Sequence, residues 1–115
     1  MKTLKGPIYL AGPMSHYPDY NKPAFVAAKH ELESRGFKVL SPHDNGQPGP
    51  EVDPDSVWIY FMRLDLHMLA EANLVVVLEG WECSRGAKFE VGIAHGLHIP
   101  VLPFGTALWI MDYEK

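Results

Sequence analysis

The stretch "NLVVVLEGWECSRGAKFEVGIAHGLHIPV", Asn73–Val101, decides the fold. It opens on a short, largely β-branched apolar run, breaks at Glu79-Gly80, resumes with helical spacing and returns to an apolar run. This pattern predicts a buried strand, a turn, a helix from about Ser84 to Leu97 and a further strand. Within that helix Glu90 falls in line with Gly86, Ile93, Ala94 and Leu97, on the stripe a helix turns toward a core. A carboxylate placed there gives up strong hydration, so it is paired, neutralised by a raised pKa, or aimed into a cavity.

Working outward, "PIYLAG" and "FKVLSP" are two more apolar runs with strand character. Between the runs lie "YNKPAFVAAKHELESRG", with Asn21 as N-cap, Pro23 in the first turn and Gly36 at the end, and "DPDSVWIYFMRLDLHMLAEA", capped by Asp53 or Asp55. Both read as helices, and "IPVLPFG" as the fourth strand, so the order is β-α-β-α-β-α-β. Alternation of this kind predicts a small doubly wound, Rossmann- or flavodoxin-like α/β domain over residues 1–115. Its parallel sheet has four to five strands in the order 2-1-3-4(-5), with helices on both faces. The apolar tail "TALWIMDYEK" packs on the sheet edge or meets a neighbouring subunit.

In that topology the chain reverses direction between the first and third strands, and ligands bind outside the strands' carboxyl ends at such a point. Two loops are thereby selected, "GPMSHYPDYN" and "EGWECSRGA". The Pro-, Gly- and acid-rich segment Ser41–Ser56 reads as a loop, either a lid or an irregular connection.

Composition narrows the function classes. A chain of 115 residues with 47% hydrophobic and 21% charged residues has the make-up of one globular domain. Its net charge of -4 opposes binding to a nucleic-acid polymer. The lone Cys83 cannot staple the fold, the start lacks a signal-peptide run and no stretch approaches a membrane span, so a cytoplasmic location is expected.

Asp65 repeats the anomaly of Glu90: it lies on the stripe of Phe61, Met68, Leu69 and Ala72. One such acid is commonly a rim residue or half of an ion pair with Lys88 or Arg63. Two of them beside a switch-point cleft favour chemistry. Paired carboxylates divide labour, one attacking an acetal-like carbon while the other holds or shuttles a proton, and glycosyl transfer is the natural reaction. A retaining mechanism brings the two carboxyl groups to about 5 Å.

The turn "CSRGA" offers Ser84, Arg85, Gly86 and a helix N-terminus to an anion, although Ser84 serves equally as a helix cap. Trp81 either stacks on a nucleobase or closes the core edge. His95 and His98, with His43 or Cys83, lack a located third ligand, so no metal and no cofactor is expected.

The segments "IYLAGPMS", "PDYNKPAFVAAKHELESRGFKVLSP" and "DLHMLAEANLVVVLEGWECSRGAKFEVGIAHGLHIPV" resemble the nucleoside 2-deoxyribosyltransferase superfamily, which includes deoxynucleoside 5′-monophosphate N-hydrolases. Within it the chain more closely resembles the short, often phage or bacterial, uncharacterised-domain members that open with an "AGPM" strand-loop. By this resemblance Glu90 is the nucleophile at C1′, Asp65 assists departure of the base, and Tyr9 stands beside the nucleophile or sugar. Gly12, Pro13, Met14, Ser15 and Asn21 belong to the loop that receives base and phosphate, while Ser84 and Gly86 form the turn that binds a 5′-phosphate. The chain departs from its relatives at Asn73, where Asp is common, and in a first loop that lacks arginine.

The resulting expectation is a retaining N-glycosidase of a (deoxy)nucleoside 5′-monophosphate acting through a glycosyl-enzyme on Glu90. The alternatives are base exchange between deoxynucleosides and a non-catalytic nucleotide-sensing module. The run Trp58-Ile59-Tyr60-Phe61-Met62 is apolar almost all round the helix, which predicts a homodimer or higher oligomer.

Overall fold

The computed structural model describes residues 2–46 and 53–115. Segment Ser41–Ser56 therefore lies partly outside the described residues, and the lid expectation for 47–52 with it. The four strands are β1 Ile8–Ala11, β2 Val39–Leu40, β3 Leu74–Val77 and β4 Val101–Pro103. All three pairings are parallel and the order is β2-β1-β3-β4, with Ile8 opposite both Val39 and Leu74 and Val75 opposite Val101. The 2-1-3-4 order read from the sequence is thus the observed one.

The helices are α1 Lys22–Ser34, α2 Pro54–Glu71, α3 Arg85–Gly96 and α4 Phe104–Glu114. Local chemistry explains their ends. Asp53 accepts from the Ser56 N–H at 3.0 Å and Ser84 accepts from the Ala87 N–H at 3.2 Å, so each satisfies a donor that its helix leaves unpaired. Beyond α1 the chain turns at Gly36 with φ +92, a conformation that disfavours any side chain. Asn21 departs from expectation. It occupies the N-cap position of α1 with a left-handed φ of 61, and its side chain caps nothing there, donating instead to the Pro13 carbonyl at 2.9 Å.

Alternation along the strands builds two cores. Ile8, Leu10, Leu74 and Val76 face one way and meet Phe25, Ala28 and Leu32 of α1 with Ala107 and Met111 of α4. Tyr9, Ala11, Val75 and Val77 face the other way and meet Leu69 of α2 with Ala87, Val91 and Ala94 of α3. The tail supplies no fifth strand among the described residues. It forms α4, because Ala107 and Met111, one helical turn apart, close the first core.

Candidate active site at the carboxyl ends of the strands

A cleft of about 410 Å³ opens outside the carboxyl ends of β1 and β3. Its walls come from the loop after β1 (Gly12, Met14, Ser15, Tyr20), from α2 (Trp58, Phe61, Met62, Asp65) and from the start of α3 (Ser84, Gly86, Ala87, Glu90), with Pro42 and Gly46 after β2. Gly12 must be small: a Cβ there would stand 2.9 Å from the Leu78 Cβ and 3.3 Å from the Phe25 ring. A larger cavity, about 640 Å³, lies at the amino ends of the strands between Lys2, Arg35 and Lys115. Its charged walls are exposed ion pairs, Arg35 bonding Glu31 and Asp112 at 2.8 Å, with no buried titratable group, so the chemistry points to the smaller cleft.

Both misplaced acids reach that cleft, buried to 4% exposure for Glu90 and 8% for Asp65. Tyr9, wholly buried among the residues under α2 and α3, donates its hydroxyl hydrogen to Glu90 Oε2. Burial pushes the Glu90 carboxyl up to about 8; the Tyr9 hydrogen bond opposes that rise and the nearby Asp65 charge adds to it. Burial lifts Asp65 to about 6, against a hydrogen bond from Asn45 at 2.9 Å. Burial and the two acids hold the Tyr9 phenol well above its ordinary range, so it remains a neutral donor. The site therefore holds two carboxyl groups whose environments separate their proton affinities around neutral pH, with Glu90 the one that keeps its proton to higher pH.

The other sequence-selected residues divide. Gly12, Met14, Ser15, Ser84 and Gly86 line the cleft, whereas Pro13 and Asn21 brace the first loop through their mutual hydrogen bond. The guanidinium of Arg85 lies 3.9 Å from the Trp58 ring centroid, 3.8 Å from Asp55, and 69% exposed, outside the cleft lining. Trp81 is half-buried and packs against the core beneath α2 and α3. The aromatic wall is supplied by Trp58, Phe61 and Tyr20. Of these, Trp58 and Phe61 sit in an apolar run whose facing cannot be read without α3, and Tyr20 in a loop without periodicity. Asn45 was also missed, since nothing in "PHDNG" distinguishes it from an ordinary turn residue.

Among the described residues no three His, Cys, Asp or Glu side chains gather as a metal site requires. His95 and His98 are exposed. Among the same residues no helix is long and apolar enough to cross a membrane.

The fold is a parallel doubly wound α/β sheet with two buried carboxyl groups in the cleft at its switch point, outside the strands' carboxyl ends. The chain belongs to the family described as Domain of unknown function (DUF4406), whose model matches residues 6–103. A search of curated proteins gives no match. Three solved structures share the fold. A 2-deoxyribosyltransferase from the psychrotolerant bacterium Bacillus psychrosaccharolyticus is 24% identical with a TM-score of 0.63, over 84% of this chain and 69% of that one. A 2-deoxyribosyltransferase from Leishmania mexicana is 21% identical with a TM-score of 0.62, over 84% of this chain and 61% of that one. A conserved protein from Enterococcus faecalis V583 is 21% identical with a TM-score of 0.58, over 84% of this chain and 60% of that one.

Proposed function

We propose that the protein is a retaining glycosyl-transfer enzyme that breaks the N-glycosidic bond of a nucleoside or nucleoside 5′-monophosphate. The observation that carries this reading is the Tyr9–Glu90 pair buried beside Asp65 in the switch-point cleft. In the first step the proton that Glu90 holds near neutral pH passes to Asp65, and a Glu90 oxygen, with the carboxylate still accepting from Tyr9, bonds to C1′ as the C1′–N bond breaks. The bonding pair leaves with the base, which takes the proton held by Asp65. In the second step water bonds to C1′, gives a proton back to Asp65 and releases Glu90. Tyr9 keeps its hydrogen bond to the attacking carboxyl throughout, and the apolar wall of Trp58, Phe61 and Met62 provides a surface for the base.

The acceptor and the phosphate are separate questions. A 5′-phosphate would rest on Ser84 and the N-terminus of α3, and Arg85 would have to leave Trp58 to meet it. Base exchange between deoxynucleosides makes no such demand, and the likeness to two 2-deoxyribosyltransferases supports it as the second reading. Exposed Ile59 and Tyr60 on α2 suit a homodimer or higher oligomer, measurable by sedimentation.

A panel of nucleosides and 5′-monophosphates, assayed for free base, tests the reading. Release by the wild-type chain and loss in Glu90→Gln are expected, and a new nucleoside formed on adding a second base marks transfer. Absence of release across the panel, with ligand binding unchanged in Glu90→Gln, would leave a nucleotide-sensing module instead.

A further inference from the structure

The proposed reaction has not used Asn45, although it holds one of the two acids. Asn45 closes the short 3-10 helix Pro42–Asn45 after β2, and its Nδ2 lies 2.9 Å from Asp65 Oδ1 and 3.2 Å from Met68 Sδ. Both amide hydrogens are thus directed to residues three apart on one face of α2. Turning the amide over would set its carbonyl oxygen against two acceptors, so its orientation is fixed.

The backbone that delivers Asn45 is itself tied down. The Asp44 N–H donates to the Ser41 carbonyl at 2.9 Å, and Ser41 Oγ accepts from the His43 N–H at 3.3 Å. Lys29 of α1 pairs with Asp44 at 3.1 Å. The His43 ring donates from Nε2 to the Tyr20 carbonyl at 2.9 Å and meets the edge of Phe25 at 4.8 Å. Two of these ties reach α1 and one reaches the first loop, so the amide is presented from an anchored turn.

We propose that Asn45 is the positioning residue for Asp65: by occupying Oδ1 it leaves the transferable proton on Oδ2 and fixes the carboxyl plane against the departing base. This rests on the glycosyl-transfer reading above. In the step concerned the Asp65 Oδ2–H bond breaks, an N–H bond forms on the leaving base, and Asp65 is left as the anion that Asn45 stabilises. Burial lifts the Asp65 carboxyl and the Asn45 hydrogen bond counters it. The charged and titratable groups that interact with Asp65 are Glu90 of α3 and Tyr9 of β1, while the loop's own His43 and Asp44 interact with each other and Asp44 is paired with Lys29.

The test uses Asn45→Ala and the isosteric Asn45→Asp in the full chain, with the Asp65 carboxyl followed by carbon-13 NMR titration and assigned with Asp65→Asn. Both variants should raise the Asp65 midpoint by about one pH unit or more. With an active substrate kcat should fall about tenfold or more while KM stays within about threefold. A folded variant with an unmoved Asp65 midpoint, or with an unchanged kcat, overturns the proposal. Should the wild-type chain free no base from any nucleoside, the glycosyl-transfer reading fails by that assay. The ligand-free titration still decides whether Asn45 holds Asp65.

Discussion

The two faces of the sheet are built from the same strands and do different work. On the α1–α4 face Ile8, Leu10, Phe25, Leu32 and Val76 are buried in an apolar cluster that contains no carboxyl group. On the α2–α3 face the strands contribute Tyr9, and the helices contribute Asp65 and Glu90 at 8% and 4% exposure. Burying apolar surface stabilises the chain, whereas burying ionisable carboxyl groups costs stability unless they are neutralised or hydrogen-bonded. The first face supplies stability that the second spends in holding two acids where a ligand can reach them.

Removing the acid at the centre of the second face should have the largest effect. Glu90→Gln keeps the shape and deletes the proposed nucleophile, so base release should fall by about a thousandfold or more while the circular dichroism spectrum is retained. An active Glu90→Gln would end the contrast between the faces.

The same variant probes the cost of burial. Between the ordinary 4.5 and the lifted value of about 8, the folded chain holds a proton on Glu90 that the unfolded chain has released. Wild-type stability should therefore decline as pH rises through that window, and Glu90→Gln should escape this share of the decline. The gain at pH 8 relative to pH 4.5 should be on the order of 3 kcal/mol in urea titrations. A pH-independent difference between the two proteins would show that Glu90 is not buried with a raised pKa.

The opposite face should respond in stability alone. Phe25→Ala removes a ring that is 1% exposed and should cost about 3–4 kcal/mol in denaturant unfolding, with KM of the folded fraction little changed. Tyr9→Phe should act most mildly. Loss of the donor to Glu90 costs about 1–2 kcal/mol and raises the Glu90 pKa further. The limb of the activity profile that reports Glu90 ionisation should then move to higher pH. A Tyr9→Phe chain with an unshifted limb would show that the tyrosine does not tune Glu90.

Legibility differed between these regions for a physical reason. Strands and helices announce themselves by periodicity, and Glu90 and Asp65 were legible because each breaks a period. Asn45 and Tyr20 break nothing, being polar or aromatic residues of irregular loops, and they reach the site only because β2 and α1 place those loops against α2. Trp81 and Trp58 show the same limit from the other side. Both are large aromatic residues near the cleft in sequence terms, yet one packs on the core and the other lines the cavity. The unexpected α4 arose because an apolar tail carries no information on whether it pairs with an edge or lies across a face.

The sequence by itself determined the alternation of strands and helices, which makes the sheet parallel, and the two carboxylates at odds with their stripes, while the expected 2-1-3-4 order was fixed by the fold. The alternation and the misplaced carboxylates are properties of spacing along the chain. Tertiary structure alone decided that Tyr9 pairs with Glu90 and Asn45 with Asp65, that Arg85 lies on Trp58, and that burial divides the two acids to about 8 and about 6. Those depend on distances and desolvation between residues far apart in the chain, which spacing does not encode.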